Sequence, residues 1–318
     1  MTKEKVLEAM KEAEQMAYTS EWAVCIPSYT RPDFRFGKLL HKCTPEFLAT
    51  HVFIFVHEDE LEAYKKFNPN LNYVVVPPEY YGVGYTRDYV YTWGKGNLKR
   101  ITFCWDDDIK NLTFMYASKD CYGYPSTKHS SKSDEQADPL FTQHILCYTA
   151  YIAQYLFTAY PNLMLGNIRR QRFCGDVTVH QTLVNINKGA TPRQTNIMNT
   201  AIYQEGYFPE SSRWHGDDII IAAKILQDGK DLFSIQQVGY DFVSEQEDTT
   251  LRDTDENTER NKQIHAKEYK DLMQFEIRKY LKTAKAYPNG DYMYGDVDWR
   301  RFYALHPERK GFSLKVGE

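Results

Sequence analysis

Through its first half the chain alternates short apolar, β-rich runs with segments of helical character, and this alternation limits the possible folds more than any other feature of the sequence. The runs "WAVCIPSY" (22–29), "HVFIFVHE" (51–58), "NYVVVPP" (72–78) and "RITFCW" (100–105) are separated by "DFRFGKLLHKC", "DELEAYKKF" and "GYTRDYVYTWGKG". Strands alternating with helices predict an α/β fold, with a Rossmann-like, mostly parallel sheet and helices on its faces. In such sheets ligands bind beyond the carboxyl ends of the strands. Those ends are polar here: Pro27 to Arg31 after the first run, His57 to Asp59 after the second, Asp106 to Asp108 after the fourth.

The second half is less regular. Residues 118–138 are polar and turn-rich and read as a surface loop over the site. A helix is expected from Pro139 to Tyr160, then strand-like pieces at 163–168 and 177–187, an acidic pair opening an apolar helix in "WHGDDIIIAAKIL", and a further strand. A charged helix over 256–284 leads into the aromatic tail "AYPNGDYMYGDVDWRRFY". The expected divisions are an α/β half (1–117), a less regular half of the same domain (118–245) and a C-terminal helical and aromatic tail (246–318).

Composition excludes several classes. With 39 basic and 43 acidic residues the formal charge is -4, so any nucleic-acid contact must be local. The cysteines, Cys25, Cys43, Cys104, Cys121, Cys147 and Cys174, include no pair at two-residue spacing, which removes zinc-ribbon, thioredoxin-like and zinc-deaminase readings. Scattered cysteines within apolar runs favour a reducing cytoplasm. No apolar run is long enough to span a membrane, and the N-terminal segment lacks the apolar centre of a signal peptide. The phosphate-cradling G-x-x-x-x-G-K-[ST] sequence is absent, and "GVGYTR" has Arg87 where a dinucleotide fingerprint needs its third glycine.

Four stretches carry chemistry. "WDDDIKNL" ends an apolar strand in three carboxylates, which suits Mg²⁺ or Mn²⁺ held by Asp106 and Asp108, or else a solvated turn with a capping aspartate. "IPSYTRPD" can wrap a nucleoside with Pro27, Ser28, Tyr29 and Arg31, or simply turn into a proline-started helix. "GVGYTRDYV" places Arg87 in the first turn of a helix, where the dipole disfavours a cation, so an anionic partner would explain it. In "WHGDDIII" Asp217 and Asp218 are candidates for a general base or for plain helix N-terminal residues, with Trp214 as an apolar wall and His215 as a metal or phosphate ligand. Arg169, Arg170 and Arg172 form a local basic cluster able to meet a phosphate backbone, or a solvated strand edge.

Together these four stretches resemble, in order and spacing over residues 20–240, the motifs of GT-A-fold glycosyltransferases. The aspartate triplet and the Gly-x-Gly-x-x-Arg segment look most like the phage and kinetoplastid DNA-base glycosyltransferases related to base J glucosyltransferase. The resemblance implies a nucleotide-sugar-binding half and an acceptor half. Pro27, Ser28, Tyr29, Arg31, Arg87 and Asp106 would hold a nucleotide sugar, expected to be UDP-linked. Asp106, Asp108 and His215 would hold Mn²⁺ or Mg²⁺, Asp217 or Asp218 would deprotonate the acceptor, and Arg169, Arg170, Arg172 and Trp214 would meet it. The implied acceptor is a hydroxymethylated pyrimidine of DNA, in the cytoplasm, or the host-cell cytoplasm for a phage protein. A net charge of -4 keeps a glycan or protein acceptor open, and a non-catalytic nucleotide- or DNA-binding module is the alternative of a different class.

Overall fold

The structure, a computed structural model, describes residues 12–116, 127–130, 139–170, 182–189, 192, 194–208, 217–242, 285–286, 292–293 and 297–315. Its centre is β1 (Trp22–Pro27), whose residues 22–26 are all fully buried. A near-continuous apolar run is what a strand covered on both faces requires. β1 lies between β2 (Val52–Val56) and β4 (Ile101–Trp105) in parallel register, and β3 (Asn72–Val75) extends the sheet beyond β2.

The crossovers between these strands are helical, as the alternation predicts. α1 (Arg35–Leu40) and α2 (Pro45–His51) follow β1, α3 (Leu61–Phe67) follows β2 and α4 (Val83–Gly96) follows β3. Thr44 caps α2 by accepting the Phe47 amide at 3.2 Å, with Pro45 in the first turn, where its missing N–H costs nothing.

The second half joins the same sheet. β5 (Ile109–Tyr116) and β6 (Thr127–Ser130) pair with each other, α5 (Phe141–Ala159) packs beneath, and β7 (Leu163–Arg170), β8 (Thr182–Ile186) and β9 (Thr195–Asn199) follow. α6 (Asp217–Gln227) leads into β10 (Asp231–Phe242). β11 (Lys285–Ala286) and β12 (Tyr292–Met293) form a separate short hairpin, while α7 (Trp299–Leu305) precedes β13 (Phe312–Lys315). The strand order is β13-β8-β10-β7-β9-β4-β1-β2-β3. The expected α/β fold therefore holds. Its sheet is parallel where strands and helices alternate; β9 enters antiparallel between β4 and β7.

Alternate strand residues face opposite sides and build two cores. On one side Trp22, Phe103, Trp105 and Phe36 stack in series, at centroid distances of 5.5, 5.2 and 5.8 Å, against α1, α2 and α5. On the other, Ala23, Cys25 and Cys104 pack under α4, α6 and α7. Cys25, Cys43, Cys104 and Cys147 are buried free thiols. No helix among the described residues is long and apolar enough to cross a membrane.

The expected loop at 118–138, apart from β6, and the expected helix at 256–284 lie outside the described residues, as do Arg172, Trp214 and His215. Gly166 in β7 lies directly beneath the ring of Phe233 in β10, where a Cβ would overlap the ring. Gly166→Ala should therefore destabilise the fold by about 1–3 kcal/mol through overpacking, measured by urea denaturation; unchanged stability would show that Phe233 can move aside.

Candidate active site

β4 is buried to its last residue, Trp105, and the chain emerges at the turn Asp106-Asp107-Asp108. Because β9 runs antiparallel to β4, with Thr195 opposite Trp105, the residue before β9 arrives beside this turn. That residue is Gln194, whose carbonyl accepts the Asp106 amide at 2.9 Å.

The three carboxylates meet three different surroundings. Asp106 accepts from Arg87 Nη2 at 2.6 Å. Asp107, 4 % exposed, turns inward to accept from Ser28 Oγ at 2.5 Å and to pair with Arg31 Nη2 at 3.2 Å. Asp108 accepts from Gln194 Nε2 at 3.2 Å through one oxygen, and its other oxygen, Oδ1, is buried with no hydrogen-bond partner. Burial raises Asp107 to about 6 against the opposing pull of Arg31 and Ser28. Burial, together with the charges of Asp106 and Asp107, raises Asp108 to about 8.

α4 begins at Val83 after Gly82, whose φ of 115° suits only glycine. Arg87 is thus the fifth helical residue, one turn deeper than the expected first turn. The anionic partner sought for it is internal: besides Asp106, Arg87 Nη1 pairs with Asp217 Oδ2 at 2.9 Å. Arg87 and Asp217 are both buried, and the arginine is held firmly protonated because the two carboxylates outweigh the cost of its burial. One guanidinium therefore ties the end of β4 to the start of α6. Asp217 and Asp218 occupy the first turn of α6 as expected, and Asp218 is the more exposed of the two.

Beyond β1 and β2, Tyr29 lies 4.7 Å from the His57 ring, and His57 stacks on Tyr81 at 3.6 Å and 6°. Burial lowers the His57 pKa, favouring the neutral imidazole. Pro27, Ser28, Tyr29 and Arg31 stand at this same end of the sheet. Arg169 and Arg170 engage different partners: Arg169 donates to Gln236 at 3.0 Å, whereas Arg170 lies over the Phe242 ring at 4.1 Å and reaches Gln194 Oε1 at 3.4 Å. Tyr240 also donates to Gln194 Oε1, at 3.3 Å.

Gln194, Tyr240, His57 and Tyr81 were not identified as site residues from sequence. His57 carried a signal in its position at a strand's carboxyl end; Gln194 carried none, since only the antiparallel insertion of β9 brings it to the aspartates. Among the described residues no three His, Cys, Asp or Glu side chains form a closed metal cage. The unpartnered buried oxygen of Asp108 beside Asp106 instead fits a hard cation that completes its shell with water and phosphate oxygens.

The raised Asp108 carboxyl has a consequence for stability. Between its ordinary value of 3.8 and about 8, the folded protein holds a proton that the unfolded chain releases, so metal-free stability should fall as pH rises through this window. Asp108→Asn should flatten that decline, as measured by denaturation at about pH 5 and pH 8; equal slopes in both proteins would show that Asp108 titrates normally.

No curated protein sequence matches the chain. Among solved structures it is similar to glucosyl-3-phosphoglycerate synthase from Mycobacterium tuberculosis in complex with Mn²⁺, uridine diphosphate and phosphoglyceric acid, at 10% identity over 90% of each chain, TM-score 0.43. The complex of that enzyme with Mn²⁺, UDP-glucose and glycerol 3-phosphate gives 10% identity, 91% of this chain, 92% of the other and TM-score 0.44. At such distance these likenesses assign no residue, ligand or substrate. Residues 22–143, which contain three of the four motifs, match the family described as TET-associated glycosyltransferase, and the glycosyltransferase reading of those motifs is thereby borne out.

Proposed function

We propose that the protein is a metal-dependent glycosyltransferase that moves a sugar from a UDP-linked donor to the hydroxymethyl group of a modified pyrimidine in DNA. The observation that carries this reading is the Asp108 oxygen left without a partner at the carboxyl end of β4, beside an Asp106 tied through Arg87 to the acidic start of α6. The DNA acceptor is supported by the TET association in the matched family's description. The buried free thiols support a cytoplasmic setting.

In this reading residues 1–117 form the donor half, 118–245 the acceptor half and 246–318 a C-terminal tail. Asp106 and Asp108, with His215, would hold Mn²⁺ or Mg²⁺ against the donor diphosphate. When bound, such an ion supplies Lewis-acid stabilisation of the departing phosphate charge. The aromatic faces of Tyr29, His57 and Tyr81 suit a flat nucleobase, with Pro27, Ser28 and Arg31 beside the nucleoside.

Arg87 orients Asp106 and Asp217 together. We assign proton removal to Asp218, the more exposed of the two at the start of α6, and a supporting role to Asp217, which Arg87 holds. The acceptor hydroxyl oxygen bonds to the sugar's anomeric carbon as its proton passes to Asp218, and the bond from that carbon to the diphosphate oxygen breaks. Arg170, Arg169, Arg172 and Trp214 are the proposed acceptor contacts.

Incubation with Mn²⁺, a panel of nucleotide sugars and either hydroxymethylated or unmodified DNA, followed by digestion and mass analysis of the nucleosides, tests the whole reading. A sugar-sized mass gain restricted to the modified base is expected. Asp106→Ala and Asp108→Ala should abolish it, and Asp218→Asn should lower turnover by about 10²–10⁴-fold. No gain on either DNA, with donor hydrolysis retained, would transfer the acceptor to a glycan or protein. No turnover of any donor would leave a non-catalytic nucleotide- or DNA-binding module.

A further inference from the structure

The middle carboxylate of the triplet, Asp107, takes Ser28 and Arg31 as partners while its neighbours take Arg87 and Gln194, and these surroundings give it a different task. The loop after β1 contains Thr30 at φ 58°. That conformation is strained for a β-branched residue and persists only where neighbouring contacts over-determine it.

Three tethers do so here. The Thr30 amide donates to Glu60 Oε1 at 2.7 Å, and the Arg31 amide donates to the Tyr64 hydroxyl at 3.1 Å. The third is Asp107, which takes the Ser28 hydroxyl on one oxygen and the Arg31 guanidinium on the other. Asp107 thus grips the loop on both sides of the strained residue. Ser28 Oγ also lies 2.7 Å from the Tyr64 hydroxyl, which closes a ring of contacts from β4 through the loop to α3. Asp107 is itself anchored through its backbone, since its carbonyl accepts the Phe36 amide at 3.1 Å at the start of α1.

We infer that Asp107 is a positioning residue that holds the strained Ser28–Arg31 loop in the shape that receives the donor nucleoside, while its two neighbours face the ion. The inference rests on the donor-site reading above. It accounts for three adjacent carboxylates where an ion needs only two: the third fastens the loop that frames the other end of the same donor. A loop held in advance pays its ordering cost at folding rather than at binding, so loss of the clamp should appear as weaker nucleotide affinity.

Two measurements on the full chain separate the possibilities. Without any ligand, hydrogen exchange of the amides at 28–34 should quicken at least tenfold in Asp107→Asn and in Ser28→Ala, while exchange in β1 and β4 stays as in the unmutated protein. In the presence of Mn²⁺, affinity for UDP should fall about tenfold in each variant, and the double variant should bind little worse than either single one, because both changes open the same clamp. Unchanged exchange in Asp107→Asn overturns the inference while leaving the proposed function standing, and so does a loss of Mn²⁺ affinity measured without nucleotide, which would make Asp107 a ligand of the ion. Failure of the unmutated protein to bind UDP overturns the donor-site reading instead, and is distinguishable because the exchange result does not depend on it.

Discussion

Arg87 is the charge on which the site's architecture depends. It is buried at the centre of a carboxylate-rich region and donates to Asp106 and pairs with Asp217, on elements far apart in sequence. Two neighbouring acids with no cation between them would repel one another, and a buried arginine with no acid would cost several kcal/mol. Together they fix α4, the end of β4 and the start of α6 in one arrangement. The start of α6 is thereby registered against the end of β4 without any ligand.

The remaining charges divide around this pair. Arg31 takes Asp107, and Gln194 takes one oxygen of Asp108. The second Asp108 oxygen is buried with no donor, and burial and the charges of Asp106 and Asp107 push that carboxyl's pKa upward. A divalent cation in place of that proton would offset both neighbouring negative charges. Gln194 also meets Arg170 and Tyr240, so Asp108 is linked through it to β7 and β10.

The sheet's first half was legible in the sequence because each of its strands, β1 to β4, is bounded by a helix pattern and polar strand ends. The acidic opening of α6 was legible for the same local reason. Arg87 was half legible: a cation near a helix start asked for an anion, but whether the anion was a ligand or the protein's own carboxylates depended on tertiary contacts. Gln194 could not be read, because no local pattern announces that β9 will insert antiparallel beside β4. The arginine run 169–172 looked like one basic cluster, yet Arg169 and Arg170 engage different partners, Gln236 and Gln194. Asp107 illustrates the limit most clearly: three identical residues in a row carry no mark of which one turns inward.

The central claim is that Asp108 and Asp106 form an ion site whose geometry is already set by Arg87. Anomalous scattering from crystals grown with Mn²⁺ and UDP tests it most directly. The expected result is a manganese peak about 2.1 Å from a carboxylate oxygen of Asp108, with the Arg87 contacts to Asp106 and Asp217 still in place. A peak away from the triplet, or an Arg87 that has left both carboxylates to reach the diphosphate, would contradict it.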